Sequence, residues 1–183
     1  AIARFWAQRV NWSSQRDAWV MLGVTGPNEY ENNVNNNWYT NYLAAWCMRY
    51  TLSVAVEVRE KEPDVWRHWV EQFSIDETTE LADWKSKADG MYLPKLQGSP
   101  VWLQQDGFMD KEQEMVKDLD PAHRPINQHW SWDRILRSVF IKQADVLQGL
   151  YFFEDDFSRE QHEANFDFYE PRTVHESSLS PCV

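Results

Sequence analysis

Gly23-Val24-Thr25-Gly26-Pro27-Asn28-Glu29-Tyr30-Glu31-Asn32-Asn33-Val34-Asn35-Asn36-Asn37-Trp38-Tyr39-Thr40-Asn41 opens with turn formers and ends by launching a helix. Gly-Pro-Asn sets a tight turn, and Asn36 or Asn37 can cap the next helix by accepting a backbone N–H. The stretch carries two acids among many amides. Amides suit a loop that must hydrogen-bond to itself, or to a ligand made of hydroxyls. Glu29 is therefore the candidate chemical centre, a general acid held on a rigid turn. Partial desolvation by Tyr30 and the adjoining loop would raise its pKa and keep it protonated near neutrality. The plainer alternative is a solvated loop acid.

Downstream of this loop the pattern is helical. Tyr39, Tyr42, Leu43, Trp46, Cys47, Tyr50 and Val54 fall at spacings of three and four, which predicts one helix from about Trp38 to Arg59 with a broad apolar stripe. Pro63 suits the first turn of a second helix, with Val65, Trp66, Trp69, Val70 and Phe73 as its stripe, ending near Ile75. Thr78 or Thr79 is placed to cap a short helix through Trp84. Upstream, residues 1–9 read as the end of a helix and residues 10–21 as a hairpin. Residues 91–108 are punctuated by Pro94, Gly98-Ser99-Pro100 and Asp106-Gly107 and read as extended loop. Helical pattern returns at Trp130 and is expected to run through Ile141-Lys142-Gln143-Ala144-Asp145 to Phe153. A last helix, capped by Ser158 with Gln161 completing a capping box, reaches about Tyr169 before Pro171 stops it. The expected class is all-α, with long loops and one short hairpin.

Composition narrows the function. The chain has 183 residues and a net charge of −11, from 18 basic and 29 acidic side chains. Phosphate backbones and anionic membrane surfaces are bound by an excess of Lys and Arg, so neither nucleic acid nor membrane is the expected partner. Eleven Trp could serve the core or stack on sugar rings. Cys47 and Cys182 form no metal-ligand spacing, and Cys47 reads as a reduced thiol on a helix face. Neither a signal peptide nor an apolar run near membrane-spanning length is evident, so the cytoplasm is expected. The apolar start and the unadorned end read as cuts through a larger domain.

Two further segments could carry chemistry. Lys142 and Gln143 offer donors and an acceptor suited to sugar hydroxyls, although Asp145 could simply be the buried ion partner of Lys142. Ser177 and Ser178 give hydroxyls and backbone N–H groups that can cradle an anion, or merely form a polar turn.

Taken in order, Gly26-Pro27-Asn28-Glu29-Tyr30 with its Asn-rich tail, Lys142-Gln143-Ala144-Asp145 and His175-Glu176-Ser177-Ser178-Leu179-Ser180 resemble the disaccharide phosphorylases of glycoside hydrolase family 65. The resemblance extends over nearly the whole chain. It implies that residues 1–183 are part of a catalytic (α/α)6 barrel, cut at both ends, with the active site among the loops at one end. It also implies inverting phosphorolysis of an α-linked disaccharide, maltose by closest likeness, to β-glucose 1-phosphate and glucose. Trehalose, kojibiose or nigerose are the alternative substrates, and a non-catalytic sugar-binding module is the alternative class. By the same resemblance Glu29 is the proton donor, Lys142 and Gln143 bind the sugar, and Ser177 and Ser178 hold phosphate. The partners implied are maltose or glucose and inorganic phosphate as co-substrate, with no metal or organic cofactor. A homodimer is one assembly the full-length enzyme could adopt. A half-barrel by itself is expected to expose an apolar face and to turn over little. Glu176 is the residue that could complicate this reading, since a second carboxylate facing the anomeric carbon would permit hydrolysis.

Overall fold

The computed structural model describes residues 1–176 and is helix-rich. Ser177 and Ser178 lie outside the described residues. The chain forms two compact units, one of residues 1–21 and 41–92, the other of residues 22–40 and 93 onward.

The first unit begins with α1 (Ile2–Arg9) and an antiparallel hairpin of β1 (Asn11–Ser13) and β2 (Ala18–Val20), with Trp12 opposite Trp19. The hairpin and its turn are legible from the sequence; Asp17 takes the left-handed conformation that closes it. The unit also contains most of α2 (Trp38–Lys61), α3 (Pro63–Phe73) and α4 (Thr79–Asp89). Pro63 opens α3 as expected. The expected threonine cap of α4 is supplied instead by Asp76, whose carboxylate accepts from the N–H groups of Thr78 and Thr79 at 2.9 and 2.8 Å. With that cap the helix runs past Trp84 to Asp89. Arg4 ties α1 to this region, donating to Glu80 and to the carbonyls of Phe73 and Ser74.

The expected stripe of α2 is only partly packed: Tyr39, Tyr42, Leu43, Cys47 and Val54 are half-buried. Ala44, Ala45, Met48 and Ala55 are buried, whereas Trp46 and Tyr50 are exposed and stack on each other with ring centroids 5.1 Å apart. Helical spacing selects both faces equally, and hydropathy favours the larger residues. Alanines pack because they let neighbouring backbones approach closely.

In the second unit, loop 22–37 leads into the first turn of α2. Asn37 caps that turn, its Oδ1 accepting from the Thr40 N–H at 3.0 Å. Residues 93–108 form the expected irregular stretch. They are fastened to α8 (Arg159–Tyr169) through Asn165, which accepts from the Trp102 N–H at 2.8 Å, and through the Tyr169 hydroxyl, which donates to the Trp102 carbonyl at 2.6 Å. The Ser158–Gln161 capping box is present. Between these segments lie two short helices, α5 (Ile126–His129) and α6 (Trp132–Arg137). A core of Tyr30, Leu119, Ile126, Trp130, Ile135, Phe140 and Val174 sits beneath the loop that carries Glu29.

The expected helix through Lys142 and Gln143 does not form. Residues 138–144 are irregular and buried, bending at Lys142 and Gln143, and α7 begins only at Asp145 (Asp145–Phe152). The backbone groups a helix would use are already engaged. The Ile141 N–H donates to the Arg172 carbonyl at 3.1 Å, and its carbonyl accepts from the Val174 N–H at 2.9 Å, a parallel bridge centred on Ile141 and Thr173.

No helix among the described residues is long and apolar enough to cross a membrane.

Candidate active site

Asn28 joins the two segments that carry Glu29 and the Lys-Gln pair. Its side chain is fully buried, and its Oδ1 accepts from the N–H groups of Tyr30 at 3.3 Å, Lys142 at 3.0 Å and Gln143 at 3.4 Å. One carbonyl oxygen thereby fixes the turn of the loop and the bend at Lys142 and Gln143 together. Nothing local in the sequence marks this role, because two of the three partners lie more than a hundred positions downstream.

Glu29 and the Lys-Gln pair meet as a result. The Glu29 N–H donates to Gln143 Oε1 at 3.0 Å, and Gln143 Nε2 donates back to Glu29 Oε1 at 3.0 Å. Lys142 Nζ donates to Glu29 Oε2 at 2.6 Å. Both carboxylate oxygens are occupied by the two residues expected to bind sugar. Lys142 is nearly buried, but the Glu29 side chain remains 50% exposed.

This geometry corrects two expectations. Glu29 is not desolvated into a protonated state. The Lys142 ammonium, helped by the Gln143 amide, outweighs desolvation and holds its carboxyl below the ordinary value. Nor is Asp145 the ion partner of Lys142. Asp145 is fully buried, and its Oδ2 accepts from Asn37 Nδ2 at 2.8 Å. Burial pushes the Asp145 carboxyl up to about 8, with the nearby Glu31 adding to the rise and the Asn37 and Asn28 hydrogen bonds opposing it.

The amides of the loop bind both the loop itself and the segments around it. Asn36 Nδ2 donates to Asp106 Oδ2 at 2.6 Å, and the Asn35 side chain accepts from the Gly23 N–H at 3.1 Å. Gly26 is required by close approach: a Cβ there would lie 2.5 Å from both Asn37 Nδ2 and Asp145 Oδ2. Glu31, the second acid of the loop, is buried and accepts from Gln105 and Lys111.

Tyr30 is sunk in the core beneath Glu29, and burial raises its phenol pKa first, followed by the negative charges of Glu176 and Glu29. Both carboxylates thus lie within electrostatic reach of one hydroxyl. The Ile141–Thr173 bridge sets Thr173 beside the residue that precedes Lys142. Glu176 is paired with Arg124 at 2.8 Å. Among the described residues no group of three His, Cys, Asp or Glu could hold a metal ion.

A half-exposed carboxyl aligned with a buried Lys and a Gln is a site that can bind hydroxyls and move a proton. The sequence matches the glycosyl hydrolase family 65 central catalytic domain over residues 1–183. The chain belongs to this family. Over 187 residues it is 52% identical to the maltose phosphorylase of Bacillus subtilis (strain 168), covering 100% of this chain and 23% of that protein. Over 181 residues it is 39% identical to a kojibiose phosphorylase of Halothermothrix orenii, covering 99% of this chain and again 23% of the relative. An α,α-trehalose phosphorylase of Thermoanaerobacter brockii is 34% identical over 160 residues, with 87% of this chain and 20% of the relative covered. A solved structure described as a putative kojibiose phosphorylase from human microbiome superposes with a TM-score of 0.83 at 32% identity, over 97% of this chain and 24% of that one. The family-65 chain therefore spans about a quarter of the length of the relatives it matches.

Proposed function

We propose that this chain supplies the proton donor and part of the sugar site of an inverting disaccharide phosphorylase, cytoplasmic and built on an (α/α)6 barrel, with maltose as substrate. The observation that carries the proposal is the attachment of Lys142 and Gln143 to both oxygens of Glu29. Maltose is favoured by the 52% identity to a maltose phosphorylase, against 39% and 34% to kojibiose and trehalose phosphorylases.

In this reading Glu29 gives its proton to the bridging oxygen while phosphate attacks the anomeric carbon from the opposite face. Inverting hydrolases need a second carboxyl, roughly 6.5–9.5 Å from the acid, to activate water. Phosphate is already a nucleophile, so one acid suffices. Ser177 and Ser178 would hold it. Glu29 is ionised when Lys142 is its partner, so the sugar must draw Lys142 and Gln143 toward its hydroxyls before the carboxylate can take up a proton. Phosphate assists by adding negative charge nearby, which also raises a carboxyl pKa.

The test is to incubate the natural full-length protein with maltose and phosphate and identify the products. β-Glucose 1-phosphate and glucose are expected in equal amounts, and the α-anomer would overturn inversion. Glu29→Gln should lower turnover by about 100-fold or more while sugar binding persists. Unchanged turnover would remove Glu29 from the mechanism.

A further inference from the structure

Glu176 stands out among the groups this reading leaves unused. Its side chain is only 13% exposed, yet neither carboxylate oxygen has a hydrogen-bond partner among the described residues. Its one charged partner among them is Arg124, with Nε 2.8 Å from Oε1 but not aligned as a hydrogen bond. Arg124 is itself held in place, Nη2 donating to the Val116 carbonyl at 2.8 Å. Val174, two residues before Glu176, packs in one core with Tyr30, the residue after Glu29, and both carboxylates act on the Tyr30 phenol. The site thus contains a second shielded carboxylate, countered by one guanidinium.

Such a carboxylate has two consequences for an enzyme that uses phosphate. Its charge repels an incoming anion. Its basicity lets it take a proton from water, whose oxygen would then attack the anomeric carbon while Glu29 protonates the leaving oxygen. That sequence forms one C–O bond, breaks another, leaves Glu176 protonated and Glu29 ionised, and releases two hexoses. In phosphorolysis a phosphate oxygen forms the new bond instead, and Glu176 exchanges no proton.

We infer that Arg124 selects the nucleophile: by pairing with Glu176 it cancels the charge that would repel phosphate and restrains the carboxylate that would activate water. Arg124 is a positioning and specificity-determining residue, not a catalytic one. The inference rests on the phosphorylase reading above.

Steady-state kinetics of the natural full-length protein test it, following glucose release from maltose with and without phosphate. Arg124→Gln should raise the KM for phosphate by at least about tenfold, because an unpaired like charge disfavours a bound anion. The same variant should release two glucose per maltose without phosphate. Adding Glu176→Gln to that variant should bring the phosphate KM back down and abolish the phosphate-independent release. Glu176→Gln alone, which spares the Arg124–Val116 contact, should lower the phosphate KM below that of the parent. Arg124→Gln with the parent's phosphate KM and no hydrolysis overturns the inference, as does a raised phosphate KM in Glu176→Gln. If the parent protein shows no phosphate-dependent release from any α-linked disaccharide, the phosphorylase reading itself fails.

Discussion

Lys142 Nζ lies 2.6 Å from the carboxylate of Glu29, and that ion pair places the candidate acid and the candidate sugar ligands in direct competition for each other. Ligand-free, the donors of Lys142 and Gln143 are spent on Glu29. A sugar that takes those donors also frees the carboxyl to gain a proton. Substrate binding and protonation of the acid are thereby linked through the same two side chains.

Removing the ammonium should raise the Glu29 pKa. The present depression comes mainly from Lys142, so the Glu29 carboxyl favours its charged form in the folded state. The contribution to stability is present above the ordinary carboxylate pKa and is lost as pH falls through the depressed value. In Lys142→Met the carboxyl should titrate at higher pH, read by carbon NMR of a Glu-labelled sample assigned with Glu29→Gln. A Glu29 titration midpoint that stays put would contradict the ion pair. Because Glu29 is half exposed, the accompanying change in stability should be small.

Asn28→Ala should destabilise the second unit far more than a loop substitution normally does. Three backbone N–H groups share the one oxygen that would be lost, and the site is fully buried. Each stranded buried donor costs about 1–3 kcal/mol, and relaxation offsets part of the sum. A loss of about 3 kcal/mol in urea unfolding is expected. A change under about 0.5 kcal/mol, the range of ordinary surface substitutions, would show that the three contacts are not maintained.

How much of this structure is legible in the sequence depends on how far each signal reaches. The Ser158–Gln161 capping box and Pro63 at the start of α3 act over three or four residues and can be read directly. The disposition of Lys142 and Gln143 cannot. Their segment has a helix-like pattern, but its N–H groups are taken by Asn28 and its bridge partner is Thr173. The stripe of α2 is half legible for a different reason: two faces share one helical period, and Ala44, Ala45, Met48 and Ala55 are buried more deeply than the stripe. Glu29 is picked out by the amide-rich turn that holds it, and its role as proton donor by the resemblance of the motif around it to a family. Its charge state is hidden, since the partner that sets it lies on a distant segment.

Gly149→Ala sets two effects against each other. Alanine gains about 1 kcal/mol of helix propensity over glycine in a helix interior. Here the added Cβ would lie 2.5 Å from Trp38 Cζ3 and 3.2 Å from Tyr39 Cδ2. Trp38 is fully buried and packed against Trp102 and Phe157, so its ring has little room to withdraw. Overpacking of this kind costs about 1–3 kcal/mol or more, which should exceed the propensity gain. Thermal unfolding should show a lower Tm for Gly149→Ala, and a higher one would mean that the ring yields freely.

Asp145 should make stability fall as pH rises through neutrality. Its carboxyl titrates near 8 in the folded chain, against about 3.9 in an unfolded one. Between those values the folded state holds a proton that the unfolded state has released. The stabilisation is complete below the unfolded pKa and is lost progressively as pH climbs toward the folded one, with a slope of at most about 1.4 kcal/mol per pH unit. Asparagine mimics the protonated acid, and its carbonyl oxygen can still accept from Asn37 Nδ2, but it does not titrate. Asp145→Asn should therefore gain on the parent as pH rises from about 5 to about 8 and hold that gain above it. The measurement is the difference in unfolding free energy between the two proteins across this range, which cancels the titration of every other group. A difference that stays constant would mean that Asp145 is already ionised in the folded state, with its charge met by Asn37 and the Asn28 N–H alone.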